Sequence, residues 1–168
     1  MYDATWLQQT CKWNPLTVVN VRVTVARQAT DGGALTGALR AHVQDERFAT
    51  AVTAMRGLPL GVRDGLQTLF ASRSLDIADP GAEFQRTRGD NPNLPTRRLV
   101  AAGCSNDHCL VYYERGGTEH TWHVALFYWT PASTRFEWGG TAPAGLATIE
   151  DVRNAVLSGS VKGQAKVW

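Results

Sequence analysis

Several features that would assign this chain to a class of protein at once are missing or scarce. No apolar run approaches the roughly 18 residues that a membrane-spanning helix requires. The 17 basic and 15 acidic residues leave a net charge of only +2, and Arg97–Arg98 is a weak basic pair, so no footprint for nucleic acid is visible. The first residues show no basic segment followed by an apolar stretch, the pattern of a secretory signal. These absences predict no binding to nucleic acid and none to a membrane.

What is present is the composition of a folded globular chain. Of the 168 residues, 43% are hydrophobic and 19% are charged, which lies outside the range of disordered proteins. The length falls within the roughly 100–200 residues that one domain usually takes. We therefore expect residues 1–168 to form a single domain.

The first half of the chain predicts one strand, then helices, then a long loop. Alternating valines predict an N-terminal strand over 17–27. Apolar residues at helical spacing, which begin with Leu35, Leu39 and Val43, predict helices over 34–70. Residues 74–96 are dense in Asp, Gly, Pro and Asn, which favour turns, and predict a long loop.

The second half changes to short β-prone runs separated by turn-forming residues. These runs are 99–102, 110–113, 122–129 and 135–138. Short connections between successive strands predict an antiparallel β-meander over 97–138, and helical spacing predicts a C-terminal helix over 147–158. The predicted fold class is therefore α+β, an antiparallel sheet of about four to five strands flanked by helices. Alternation assigns one face of the sheet to Val124, Leu126, Tyr128, Phe136 and Trp138, and the other to Ala125, Phe127 and Trp129.

The segment "AAGCSNDHCLVYY" holds two of the three cysteines, Cys104 and Cys109, around a polar loop. One reading is a tetrahedral zinc site that adds His120 and His123. However, residues three apart on a strand point to opposite faces, so His120 would have to lie in the turn. A second reading is a nucleophilic enzyme that uses one of the cysteines with His123 and Glu137. Both cysteines lie between strands and not at a helix N-terminus, where the dipole would stabilise a thiolate.

Catalytic signatures are also missing from the chain. There is no G-x-S-x-G, no H-E-x-x-H and no phosphate-binding glycine loop. We therefore expect no enzymatic activity, no metal site and no cofactor.

In a third reading, the two cysteines form a disulfide that closes the loop. Cysteines that bracket four residues between adjacent strands can reach the Cα separation of a disulfide. A Cys104–Cys109 bridge would turn the loop into a rigid, protruding finger, while Cys11 stays unpaired or links two chains into a homodimer. The finger would bind a partner protein through Ser105, Asn106, Asp107 and His108. On this reading His108→Ala weakens binding without affecting folding, whereas on the simplest alternative the segment is only a solvated hairpin turn.

The order of motifs resembles the Ivy family, the periplasmic inhibitors of vertebrate-type lysozyme. The matching stretches span about residues 47–159 and read "RFATAVTAMRGLP", "RRLVAAGCSNDHCLVYY", "HVALFYW", "RFEWGG" and "IEDVRNAVLSG". In that family the loop reads C-K-P-H-D-C, a disulfide closes it, and its histidine enters the lysozyme active site. Cys104 and Cys109 match the family's loop cysteines. His108 lies one place later than the family histidine, because this chain reads D-H where the family reads H-D, and Ser105–Asn106 replaces Lys-Pro.

The resemblance implies a non-enzymatic inhibitor that blocks a lysozyme-type muramidase in the periplasm. An immunity protein that neutralises an interbacterial toxin on the same scaffold is the nearest alternative. The competing class is a cytoplasmic module with reduced cysteines that binds a metal or a partner, which the missing signal sequence favours.

Overall fold

Six antiparallel strands in chain order form the sheet that organises the chain, as seen in a computed structural model that describes residues 35–48, 50–89, 91–163 and 168. The strands are β1 (Thr50–Val52), β2 (Arg97–Cys104), β3 (His108–Arg115), β4 (Thr121–Trp129), β5 (Thr134–Ala142) and β6 (Lys162–Gly163). Three α-helices accompany them: α1 (Gly37–Asp45), α2 (Leu60–Leu69) and α3 (Ile149–Leu157). The predicted α+β class with an antiparallel meander is confirmed. None of the helices among these residues is long and apolar enough to cross a membrane.

The sheet carries a hydrophobic core on each face. On one face, Val62 and Leu66 of α2 pack against a cluster that includes Tyr113 and Phe127. On the other face, Val43 of α1 joins residues of α3 and a set of fully buried sheet residues, Leu110, Tyr112, Val124 and Leu126. Because both faces are covered, β3 is buried along almost its whole length and the middle of β4, residues 123–127, is buried as well.

The region 34–70 is less helical than the sequence predicts. Residues 50–52 form β1, which pairs with the end of β2 at Cys104, and Met55–Gly57 is a short 3-10 helix. The prediction of continuing helix through Val52 is therefore wrong. Only three residues take part in the strand, too few for a two-residue alternation to show in the sequence. The predicted strand at 17–27 and Cys11 lie outside the described residues.

The alternation predicted for β5 is interrupted by a β-bulge. Leu126 pairs with Trp138, but the next residue, Phe127, pairs with Phe136, so Glu137 is the extra residue. Phe136 consequently packs in the Phe127 cluster and Trp138 in the opposite one. The prediction that Phe136 and Trp138 share a face is wrong, because a bulge shifts the side-chain period by one residue.

The long loop at 74–96 holds no regular helix or strand among its described residues, as predicted. It is anchored to the sheet through Asp76, whose carboxylate accepts hydrogen bonds from the Thr96 backbone N–H at 2.7 Å and from the Arg97 guanidinium at 2.5 Å. Ala78 also pairs with β2 through an isolated bridge to Arg98. Around Asp76 and Ala78, the loop therefore lies against β2.

Candidate functional site

The turn between β2 and β3 brings the two predicted cysteines together. Cys104 and Cys109 lie directly opposite each other in the ladder, and their sulfur atoms are 2.02 Å apart, at disulfide bonding distance. Inside this closure, the Ser105 backbone N–H donates to the His108 carbonyl at 2.7 Å. The Asp107 carbonyl accepts from the Trp129 backbone N–H at 2.8 Å, which ties the turn to β4. The turn is thus fixed at its base by the contact between the two cysteines and at its side by the hydrogen bond to β4.

His108 is not part of the exposed tip. It is the first residue of β3, and its side chain is only 6% exposed. Its Nε2 lies 3.0 Å from Glu137 Oε2, and its Nδ1 lies 2.8 Å from Asp107 Oδ1. The prediction that His108 protrudes with the finger is wrong, because the strand begins one residue before Cys109 and directs the imidazole into the structure. Asn106 is the exposed residue at the tip, and the Asp107 side chain is 41% exposed.

The two carboxylates beside His108 determine its charge. Burial disfavours the imidazolium, but hydrogen bonds and negative charge from Glu137 and Asp107 outweigh that effect, so the pKa of His108 is raised above its usual value. The hydrogen bond from His108 in turn lowers the pKa of Asp107 and that of Glu137. The site therefore favours a protonated imidazole between two ionised carboxylates.

The β-bulge in β5 positions Glu137 for this contact. Its Oε2 faces His108, while its Oε1 accepts from the Arg135 guanidinium at 2.9 Å and 2.7 Å. Arg135 also lies over the Tyr128 ring, 4.4 Å from its centroid, and Tyr128 is the cross-strand partner of His108. A bulge commonly serves to re-aim a side chain in this way.

The C-terminal end of α1 completes the site. Arg153 of α3 donates to the Val43 carbonyl at 2.9 Å and also to the Gln44 carbonyl, which satisfies carbonyls left free at the helix end. The chain after α1 then passes close over β2: a Cβ on Gly103 would lie 2.7 Å from the Phe48 carbonyl oxygen. Only glycine permits this approach, which brings α1 next to the β2–β3 turn.

Two residues of this region, His42 and Glu46, were not singled out by the sequence analysis. His42 Nε2 lies 2.6 Å from His108 Nδ1 and 2.8 Å from Glu46 Oε1. The available signal was their i, i+4 spacing, which places both side chains on one face of a predicted helix. The contact with His108 spans 66 positions in the chain, and no local pattern reveals such a pairing.

Neither alternative assembly of the cysteines is formed. The Cys104 and Cys109 sulfurs contact each other, whereas His123 pairs with Tyr113 and His120 binds Glu114 Oε2 at 2.7 Å near the other end of β3. Glu137 contacts His108 and not His123. The predicted zinc set and the predicted nucleophilic set are therefore not brought together.

The burial of His123 leads to a pH-dependent stability. Burial, with the nearby Arg115 and Arg97, lowers the pKa of His123 to about 4. Below the ordinary value near 6.5, the unfolded chain takes up a proton that the folded chain refuses, so stability falls as the pH drops from about 6.5 to about 4. At pH 5 the loss is about 2 kcal/mol. Urea unfolding of the wild type and of His123→Phe, which keeps a ring against Tyr113, tests this prediction. The free energy of unfolding of the wild type is expected to fall below that of the variant by a growing amount as the pH approaches 5. Free energies that change with pH in parallel would contradict the prediction.

Comparison with protein-family models, with curated proteins and with solved structures gives no match to this chain.

Proposed function

We propose that this protein is a non-enzymatic inhibitor that blocks a peptidoglycan-cleaving enzyme of the lysozyme type with its β2–β3 turn. The observation that carries the proposal is the preorganisation of that turn. Its two ends lie at disulfide distance, and its carbonyl at Asp107 is held by β4. A loop that is already ordered loses less entropy when it enters a partner's cleft. The resemblance to the Ivy family loop supports the same role.

The groups that would contact the enzyme differ from those of the family loop. Asn106 is exposed, and Asp107 presents a carboxylate that His108 orients from beneath. A glycosidase cleft contains one carboxylic acid with a raised pKa, which can donate a hydrogen bond to an acceptor such as Asp107. His108 thus acts as a positioning residue here, and the tip formed by Ser105, Asn106 and Asp107 acts as the contact surface.

Binding to immobilised c-type lysozyme tests the proposal. The wild-type protein is expected to bind with a dissociation constant at or below the micromolar range. Asn106→Arg places a long cation at the tip of the turn and is expected to weaken binding at least tenfold, which corresponds to about 1.4 kcal/mol. The residue is exposed, so the variant is expected to keep the wild-type melting temperature.

Thr118→Arg provides the matched control, because it adds the same charge to the exposed β3–β4 connection near the other end of the sheet. It is expected to bind like the wild type. Equal weakening by both substitutions would show a general charge effect and contradict a role for the turn.

An immunity protein against an interbacterial toxin would use the same surface on another target. A toxin gene beside this gene, and binding to that toxin with no binding to lysozyme, would favour it. In either case we propose an oxidising compartment such as the periplasm, since a structural disulfide rarely persists in the cytoplasm. A cytoplasmic module would instead yield protein with three free thiols on isolation.

A further inference from the structure

Four side chains from two separate elements converge beside the β2–β3 turn. They are His42 and Glu46 from the end of α1, and Asp107 and His108 from the turn and the start of β3; one ligand atom of each lies within 4.8 Å of all the others. Besides the contacts given above, His42 Nε2 lies 3.7 Å from Asp107 Oδ1, and His108 Nδ1 lies 3.8 Å from Glu46 Oε1. Two imidazole nitrogens and two carboxylate oxygens thus surround one point.

With both carboxylates ionised, no placement of protons on the two imidazoles satisfies all of these contacts. If a proton joins His42 Nε2 to His108 Nδ1 and belongs to His42, then the Nδ1 lone pair faces Asp107 Oδ1 at 2.8 Å. If the proton belongs to His108, then the His42 lone pair faces Glu46 Oε1 at 2.8 Å. If both nitrogens are protonated, two N–H groups face each other across 2.6 Å. As long as Glu46 and Asp107 are both ionised, each of these choices leaves one repulsive contact, whereas a single cation would attract all four atoms.

The surroundings match those of a metal ligand set. His108 Nε2 is held by Glu137, so Nδ1 is the nitrogen that would bind an ion after it releases its proton to solvent. A histidine ligand typically has its other nitrogen held by a carboxylate in this way. Glu46 Oε2 is buried and has no hydrogen-bond partner among the described residues. The His42 side chain is 34% exposed, so an ion can enter from solvent.

We propose that His42, Glu46, Asp107 and His108 form a binding site for a divalent metal ion of the zinc class. Zinc bonds of roughly 2.0–2.2 Å to nitrogen and oxygen place neighbouring tetrahedral ligand atoms roughly 3.3–3.5 Å apart. The observed separations lie on both sides of this value, so small movements of the side chains would complete the site. The inference does not rest on the proposed inhibitory function, and it departs from the sequence-based expectation of no metal. The ion would link the end of α1 to the β2–β3 turn.

Isothermal titration of chelator-treated, tag-free protein with zinc tests the proposal. The protein carries Cys11→Ser, so that no thiol outside the turn competes, and is kept oxidised. We expect one ion per chain with a dissociation constant in the low micromolar range or below, and a melting temperature that rises by several degrees in excess zinc. Co²⁺ at the same site is expected to give the visible absorption of a tetrahedral ion.

His42 and Glu46 lie at the edge of the structure and are only partly buried, so variants at these two ligands are expected to fold. His42→Ala and Glu46→Gln are each expected to weaken zinc binding at least thirtyfold, whereas His120→Gln, which removes a histidine paired with Glu114 outside the cluster, leaves it unchanged. The proposal is overturned if no binding is detected up to 100-fold excess, if His42→Ala binds like the wild type, or if zinc binds only after reduction, which would assign it to Cys104 and Cys109.

Discussion

Replacing both Cys104 and Cys109 by serine is expected to weaken binding to the target enzyme at least tenfold and to lower stability only modestly. The closed loop is small, so the chain-entropy model gives about 2 kcal/mol. For a chain of this size that corresponds to a fall in melting temperature of about 4–8 °C. The larger effect falls on binding, because the open turn samples conformations that the bound state does not use.

Two measurements separate these effects. Thermal unfolding followed by circular dichroism gives the stability of the double variant, and binding is measured well below its melting temperature. Intact-mass analysis of the oxidised wild type is expected to show at most one free thiol among the three cysteines. A double variant that binds as tightly as the wild type, or a wild type with three free thiols, would contradict a role for the disulfide in binding.

His108→Ala is expected to lower the free energy of unfolding by about 1–3 kcal/mol, the range for leaving a buried polar partner unsatisfied. The side chain is 6% exposed and contacts both Glu137 and Asp107. Removal leaves Glu137 with Arg135 alone and frees Asp107 to rotate, so binding to the target is also expected to weaken. The sequence-based expectation that this substitution leaves folding unaffected assumed an exposed imidazole, and burial corrects it.

His120→Ala is the matched control for this prediction. His120 also binds a carboxylate, Glu114 Oε2 at 2.7 Å, but its side chain is 34% exposed. Glu114 keeps its ion pair with Arg98 when His120 is removed, and solvent partly screens the His120 side, so the free energy of unfolding is expected to change by less than about 1 kcal/mol. Urea unfolding of the two variants compares them directly; equal losses, or a wild-type stability for His108→Ala, would contradict the assigned role of His108.

The elements that could be predicted from the sequence are those specified by local pattern. Apolar runs between turn-forming residues predict strands β2 to β5. The apolar stripe of α3 predicts that helix, and so does the capping residue Thr148, whose side chain accepts a hydrogen bond from the Asp151 N–H. The three-residue β1 carries too few residues for a period. The bulge at Glu137 depends on how β5 packs against β4, so strict alternation assigned Phe136 to the wrong face.

Only part of the candidate site could be predicted from the sequence, because the rest depends on contacts between distant parts of the chain. Cys104, Asp107, His108 and Cys109 are neighbours in the chain, and their spacing pointed to one location. His42 and Glu46 reach that location only because Gly103 admits the chain after α1 and Arg153 holds the helix end. Such contacts depend on tertiary packing, which the order of residues along one element does not encode.

Inhibition of peptidoglycan lysis by c-type lysozyme tests the central claim most directly. Oxidised wild-type protein is titrated into the enzyme, and the clearing of a peptidoglycan suspension is followed by turbidity. We predict that activity is lost completely at protein concentrations well above the dissociation constant, that Thr118→Arg inhibits like the wild type, and that Asn106→Arg is at least tenfold less potent. Full lysis at concentrations of wild-type protein well above the micromolar range, or equal inhibition by the two arginine variants, would contradict the proposal.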